Sequence, residues 1–323
     1  MPDLRSLVTK DVNDMNRFLP PLTATLAAAV IAAGLAVPVL ASGPSARAGP
    51  AAAAQPSCKP HGHHCPVPTP TPTPTPTPAG FSCTVTGFTS QCGPYSDPAI
   101  YGSTAGQVGY AGNQDVNLSP GETGTMRANG LGDWQSTVSA PDNGGAVSEW
   151  SNSNVALTRP DNTPVPLASL HAITSELDIT PQVTNPGTSE DLGWDVWGGT
   201  PGSSSGNYAY EMMIWSGQVS RGTCGGGTVL RTGVTFGTQV FSLCEWGTGA
   251  TGEFIWYLSD AAGNPVSRDD TTIDIYAMLQ WMIAQGYYPS RYGLNMVTVG
   301  SEVCSTGGVP ETVTLHKWTL TAS

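Results

Sequence analysis

Glycine and proline punctuate this sequence at roughly one position in five, 39 Gly and 28 Pro among 323 residues, and both residue types interrupt regular helix. A helical bundle is thereby excluded. Between the interruptions lie short β-type runs: Val165 to Ile179, Gly193 to Trp197, Tyr208 to Trp215, Thr228 to Phe236, Gln239 to Trp246, Glu253 to Ser259, Leu294 to Glu302 and Thr312 to Thr321. Runs of this kind, bounded by Gly, Pro, Asn and Ser turns, predict an all-β fold of stacked antiparallel sheets, a sandwich or a barrel. Charged residues make up 11% of the chain, less than half the roughly 25% of ordinary globular domains. The 39% hydrophobic content and nine Trp are nonetheless enough for a sizeable core, which excludes wholesale disorder. A net charge of −12 without any Lys/Arg cluster repels a phosphate backbone, so nucleic acid is not an expected partner.

One segment breaks the β pattern. Ile275, Met278, Leu279, Met282 and Ile283 recur at helical spacing, preceded by Asp269-Asp270-Thr271 as capping candidates and followed by Gly286. They predict a single amphipathic helix over Ile273 to Gln285, packed on the outside of the sheets.

The N-terminus has the organisation of an export signal. Arg5, Lys10 and Arg17 precede an apolar stretch from Leu22 to Leu40, and Ala46-Arg47-Ala48 fits a small-x-small cleavage site, with Ala41 an earlier one. The stretch is also long enough to span a bilayer, so an uncleaved anchor is the competing reading. Residues 66–78 are nearly pure Pro and Thr, a composition that extends at about 3.1 Å per residue and acts as a spacer. The expected organisation is therefore a signal peptide over 1–48, a short Cys/His segment over 49–65, the Pro/Thr linker, and one folded domain over 79–323. A secreted monomer is expected, with no membrane insertion once the signal is cleaved.

Seven Cys in an exported chain should mostly be paired. Spacing suggests Cys58 with Cys65, Cys83 with Cys92 and Cys224 with Cys244, with Cys304 left over or competing for one of these partners. His61, His63 and His64 between Cys58 and Cys65 admit a zinc reading, against a small disulfide loop with solvated His.

Within the domain His171 and His316 have no carboxylate or Cys beside them at ligand spacing, and Gly225-Gly226-Gly227 is followed by no Lys-Ser/Thr. Chemistry must then come from acids. In Tyr208 to Trp215, alternation puts Ala209, Glu211, Met213 and Trp215 on one face, and neither face is polar. An ionised Glu in such a strand is costly unless it is paired or opens onto a cleft. Glu302 closes a similarly uncharged run, and Asp195 shares a face with Trp197. Any one of them alone reads as a strand-end acid. Three together, flanked by Trp, point to a sugar cleft, since aromatic faces stack on pyranose rings and paired carboxylates perform glycosidic acid/base chemistry.

These residues also resemble a known family. Tyr210-Glu211-Met212-Met213-Ile214-Trp215 is similar to the nucleophile strand of glycoside hydrolase family 12, Val299-Gly300-Ser301-Glu302 to its acid/base strand, and Trp194-Asp195-Val196-Trp197 to the strand whose Asp neighbours the nucleophile. The resemblance runs from about Gly109 to Ser323 and is strongest after Leu192. It implies a β-jelly roll with one packed helix and a concave face that binds β-glucan. It further implies Glu211 as nucleophile, Glu302 as general acid/base, and Asp195 as the residue that tunes and hydrogen-bonds Glu211. Trp197, Met213, Trp215 and Trp246 are the substrate-binding candidates, with Trp256 a further stacking surface or a core residue. No metal or organic cofactor is implied.

Two departures stand out: Asn113-Gln114-Asp115-Val116-Asn117 lacks the Trp of the family's early strand, and Val303-Cys304 replaces a bulky apolar pair after the acid/base Glu. The implied activity is a retaining endo-β-1,4-glucanase on cellulose, mixed-linkage glucan or xyloglucan. A non-catalytic carbohydrate-binding sandwich is the alternative. Retention requires the two Glu carboxyls about 5–5.5 Å apart, and the roughly 4.8 Å strand spacing is the expected source of that closeness.

Overall fold

A computed structural model describes residues 80–88, 90–95, 109–115, 120–142, 144–159, 163–200, 208–222, 224–246 and 252–323. The signal and linker assignments, the Cys58–Cys65 pair, the His cluster and Val116 lie outside them.

Among the described residues sixteen strands and one α-helix follow one another in the order β1 (Cys83–Thr86), β2 (Gln91–Tyr95), β3 (Gly109–Asp115), β4 (Thr123–Gly130), β5 (Asp133–Ser139), β6 (Glu149–Ala156), β7 (Val165–Pro166), β8 (Ile173–Gln182), β9 (Thr188–Gly199), β10 (Tyr208–Val219), β11 (Thr228–Phe236), β12 (Gln239–Trp246), β13 (Gly252–Leu258), β14 (Asp270–Asp274), α1 (Ile275–Ala284), β15 (Gly293–Thr306) and β16 (Glu311–Ala322). They form two sheets, the β-jelly-roll sandwich expected from the sequence. The smaller runs β1-β4-β5-β16-β8-β14 and the larger β11-β12-β13-β10-β9-β15-β6-β3-β2, with β7 beside β15.

The expected antiparallel pairing holds with one exception. β13 lies parallel to β10, because the β11–β12–β13 meander folds back so that its last strand, rather than its first, lies beside β10. The run expected over Val165 to Ile179 is divided by a short 3₁₀ turn at Leu167–Ser169.

The core lies between the sheets and is built from the inward parity of each strand. Trp194 and Val196 of β9, Met212 and Ile214 of β10, Val297 and Val299 of β15, and Leu315 and Trp318 of β16 are all buried in it. Each such side chain contributes about 1.5–3 kcal/mol on burial. Indole N–H groups that end up in this core need partners, since an unsatisfied buried donor costs about 1–3 kcal/mol. Serines of the opposite sheet supply them: Trp134 donates to Ser153 Oγ at 2.9 Å and Trp194 to Ser175 Oγ at 2.9 Å. These bonds also pin the two layers in register.

The helix starts later than the sequence predicts. Its N-cap is Asp274, which accepts from the Ala277 N–H at 2.9 Å, while the Asp270–Asp274 stretch pairs with β8 as a strand. Sheet pairing of Asp270 to Asp274 has displaced the expected caps. Gly286 at φ 79° ends the helix region. Nor does α1 sit outside the sheets: Trp256 of β13 donates to Met282 Sδ at 3.3 Å and packs edge-on to Trp281, so the helix belongs to the same core.

Candidate active site

Strand β9 carries the site, with β10 on one side and β15 on the other. Its even residues, Leu192, Trp194 and Val196, face the core, which leaves Asp191, Gly193, Asp195 and Trp197 on the outer face of the larger sheet. Register extends that face sideways. Glu211 stands opposite Trp197, Asp195 stands between Met213 and Thr298, and Glu302 stands between Asp191 and Trp150 of β6. The sheet therefore brings Glu211, Glu302 and Asp195 to one face, as alternation predicts.

The two glutamates are not adjacent-strand neighbours. β9 lies between them, and their partners on it, Trp197 and Asp191, are three same-face positions apart. Strand spacing alone does not set their separation, contrary to the expectation above. Trp150 and Trp197, similarly offset on β6 and β9, meet with ring centroids 6.4 Å apart, so side chains at this offset can converge on the outer face. In keeping with that, the Glu302 charge is among the causes that raise the Glu211 pKa.

Five carboxylates share this outer face: Asp191, Asp195, Glu211, Glu302 and Glu253, which stands opposite Glu211 on β13. Burial pushes all of them up; repulsion adds to it at Asp195, Glu211, Glu302 and Glu253, and Arg221 opposes it at Asp191, Glu253 and Glu302. Asp195 is pushed up to about 8 by burial first, then by Asp191, with the Thr298 hydroxyl at 3.1 Å opposing. Asp191 and Glu253 rise to about 7. Glu211 and Glu302 lie well above the usual carboxylate range, through burial and then through their charged neighbours. A cluster of this kind retains protons near neutral pH and titrates as a unit, which is how a carboxylic acid stays available as a proton donor. The hydrogen bond Asp195 accepts comes from Thr298, while its link to Glu211 is electrostatic.

A single guanidinium is set into this cluster from the turn after β10. Arg221 Nε lies 2.9 Å from Asp191 Oδ2, Nη2 lies 3.9 Å from Glu302 Oε2, and Nη1 donates to Cys304 Sγ. The same group covers the Trp215 ring at 5.5 Å. The turn is forced into shape by left-handed backbone at Ser220 and Cys224, φ 53° and 65°, each costing about 1–3 kcal/mol in a non-glycine residue. At Gly225, φ 54°, an added Cβ would sit 3.2 Å from the Trp215 ring. The expected Cys224–Cys244 disulfide ties the turn to β12, and the expected Cys83–Cys92 pair also forms. Cys304 is a free, buried thiol, pushed up to about 12 chiefly by burial.

The substrate-binding candidates divide by exposure. Trp246 is 43% exposed and donates to the Gly225 carbonyl at 3.3 Å, and Trp197 is half-buried on the cleft face. Trp215 and Met213 are buried in a second apolar cluster with Cys224, Cys244, Ile255 and Tyr257. They have no face open to a sugar ring, which also explains why the β10 sequence is apolar on both sides. Trp256 is a core residue. Sequence reasoning missed Trp150, Asp191, Arg221 and Glu253. Parity within the strand opening at Glu253 was the available signal for that residue; Arg221 had none beyond its Gly/Cys-rich turn.

Among the described residues no cluster of three or more His, Cys, Asp and Glu is arranged to hold a metal ion, and no helix is long and apolar enough to cross a membrane.

No protein-family model and no curated protein sequence matches the chain. Solved structures do. A family 12 xyloglucanase from Bacillus licheniformis aligns with a TM-score of 0.59 at 14% identity, covering 75% of this chain and 100% of that one. An endoglucanase from Rhodothermus marinus gives 0.57 at 17% identity over 75% and 99%. The xyloglucanase domain of a type three effector from Sinorhizobium fredii, in complex with cellobiose, gives 0.54 at 17% identity over 67% and 92%. The chain thus has the fold of family 12 glycoside hydrolases.

Proposed function

We propose that this protein is a retaining endo-β-1,4-glucanase, exported by its first 48 residues, monomeric, and acting outside the cell on cellulose, mixed-linkage β-glucan or xyloglucan. The observation that carries the reading is the register that puts Glu211 and Glu302 on one face of the larger sheet with Asp195 on the strand between them. The fold, shared with xyloglucanases and endoglucanases, supports it.

In the proposed reaction the Glu211 carboxylate attacks the anomeric carbon while the protonated Glu302 gives its proton to the departing glycosidic oxygen. A covalent glycosyl ester on Glu211 results. Glu302, now ionised, takes a proton from water as that water attacks the same carbon and releases Glu211. Asp195 tunes Glu211, its negative charge raising the Glu211 carboxyl. Trp197 and Trp246 offer the aromatic faces.

Reducing-sugar release from barley β-glucan tests the reading. Wild type should release sugar, Glu211→Gln should abolish turnover with near-UV circular dichroism intact, and Glu302→Ala should lose on the order of 10²–10⁴-fold on substrates needing protonation. Binding of the glucan without release is the outcome expected of a carbohydrate-binding sandwich and overturns the proposal.

A further inference from the structure

We propose that Arg221, anchored by Asp191, is the positioning residue of Glu302: its guanidinium fixes where the Glu302 carboxylate sits and favours its ionised form. The kinetic consequence rests on the glucanase reading above, whereas the electrostatic core of the proposal does not.

Each guanidinium nitrogen addresses a different partner: Nε the Asp191 carboxylate, Nη2 the Glu302 carboxylate and Nη1 the Cys304 sulfur. Only arginine presents donors in such a rigid, planar set, and a lysine ammonium reaches one place at a time. The side chains of Arg221 and Glu302 are only 11% and 16% exposed, so solvent screens their attraction weakly. The local backbone is committed to this placement as well, with left-handed Ser220 and Cys224 on either side of Arg221 and the guanidinium resting on Trp215. A surface arginine has no need of such a turn.

The groups facing Glu302 are Asp191 and Asp195 from β9, Glu211 from β10, Glu253 from β13, Cys304 from its own strand, and the uncharged Trp150 from β6. All the charged ones besides Arg221 are negative when ionised. Burial and the Asp191, Asp195 and Glu253 charges push the Glu302 carboxyl up, and Arg221 alone pulls it down. Without that cation the Glu302 carboxyl would be pushed up further and would be a weaker proton donor. Arg221 receives the negative charge that appears on Glu302 as its O–H bond breaks, and keeps that oxygen placed to accept the proton of the attacking water in the second half-reaction.

The test is a ¹³C NMR titration of glutamate-labelled protein, with the Glu302 carboxyl resonance assigned by its loss in Glu302→Gln. R221M keeps the apolar stem and removes the charge. Its Glu302 midpoint should rise by about one pH unit or more, the range expected when an opposite charge about 4 Å away is lost. R221K should show a smaller rise. The alkaline limb of kcat/KM on β-glucan should move up with the midpoint. An Arg221 that only stabilises the fold would change thermal stability and leave the Glu302 midpoint in place, and that result overturns the proposal. Should R221M lose its near-UV circular dichroism, R221Q, which keeps a polar amide and removes the charge, gives the same reading. A protein that hydrolyses no glucan and still shows the midpoint rise refutes the glucanase reading and leaves the Arg221 assignment standing.

Discussion

Glu211 and Glu253 stand directly opposite each other across the β10–β13 pair, which among the described residues is the parallel pair of the larger sheet. Two acids at one rung repel when both are ionised, and Glu253 accordingly ranks after burial and Asp195 among the causes that raise Glu211.

Replacing Glu253 by Gln removes that repulsion. Glu211 then ionises at lower pH, so the acid limb of kcat/KM, which reports the nucleophile's ionisation in the free enzyme, should shift downwards. A pH–rate profile of the variant on a soluble β-glucan checks this, and an upward shift would show that Glu253 acts on Glu211 in some way other than by charge.

The stereochemical outcome follows from the roles given to the two glutamates. Attack by Glu211 and then by water inverts the anomeric centre twice, so β-configured product should appear first. Proton NMR recorded during cleavage, ahead of mutarotation, distinguishes it. Initial α-product would remove the nucleophile role from Glu211.

Glu190 is the acid on the core side of β9, 1% exposed, and is pushed up to about 8 by burial, with Asp191 and Glu311 adding to it. Below its ordinary value of 4.5 both folded and unfolded chains hold the proton. Between that value and 8 the unfolded chain ionises while the folded one does not, so stability falls as pH rises through this window. Glu190→Gln should therefore leave stability at pH 4 nearly unchanged and raise it at pH 8 by on the order of a few kcal/mol. Denaturant titrations at the two pH values read the difference; equal effects at both would show that Glu190 ionises normally in the fold.

Thiol chemistry offers a separate check on the covalent frame. Cys304 is buried and its thiol is pushed up to about 12, so an alkylating reagent should label nothing in the native protein. Denatured without reductant, the protein should yield about one thiol, and mass mapping should locate it at Cys304. Labelling of Cys224 or Cys244 would contradict the disulfide that anchors the Arg221 turn.

What the sequence revealed and what it concealed divide along a physical line. Period-two alternation is local, and it placed Glu211, Met213 and Trp215 on one face and Asp195 with Trp197 before any pairing was known. Short Cys spacings did the same for Cys83–Cys92 and Cys224–Cys244. Register is non-local. No pattern within residues 252–258 announces that they lie parallel to β10, so Glu253 read as an ordinary strand residue. Asp191 fell just outside the run expected to begin at Gly193, because β9 extends to Thr188 through pairing with β15 and β10. Met213 and Trp215 looked like sugar platforms for a related reason: the residues that cover them, Cys224, Cys244, Ile255 and Tyr257, come from elements distant in sequence. The helix start failed by competition, since a segment rich in caps had a strand partner waiting in β8.

The central seam of the larger sheet, β10–β9–β15, also sets when catalysis can first exist. Neither glutamate has its electrostatic surroundings until β15 has docked against β9, and β15 is followed only by β16 in the described structure. Half of the chemistry therefore waits for nearly the whole chain, and a fold dominated by such distant pairings forms slowly compared with helical domains. On the proposed reading turnover becomes a gauge of completion: a chain that stalls before residue 293 holds Glu211 and still lacks Glu302. In refolding experiments, activity should consequently return with the last cooperative phase and never ahead of it.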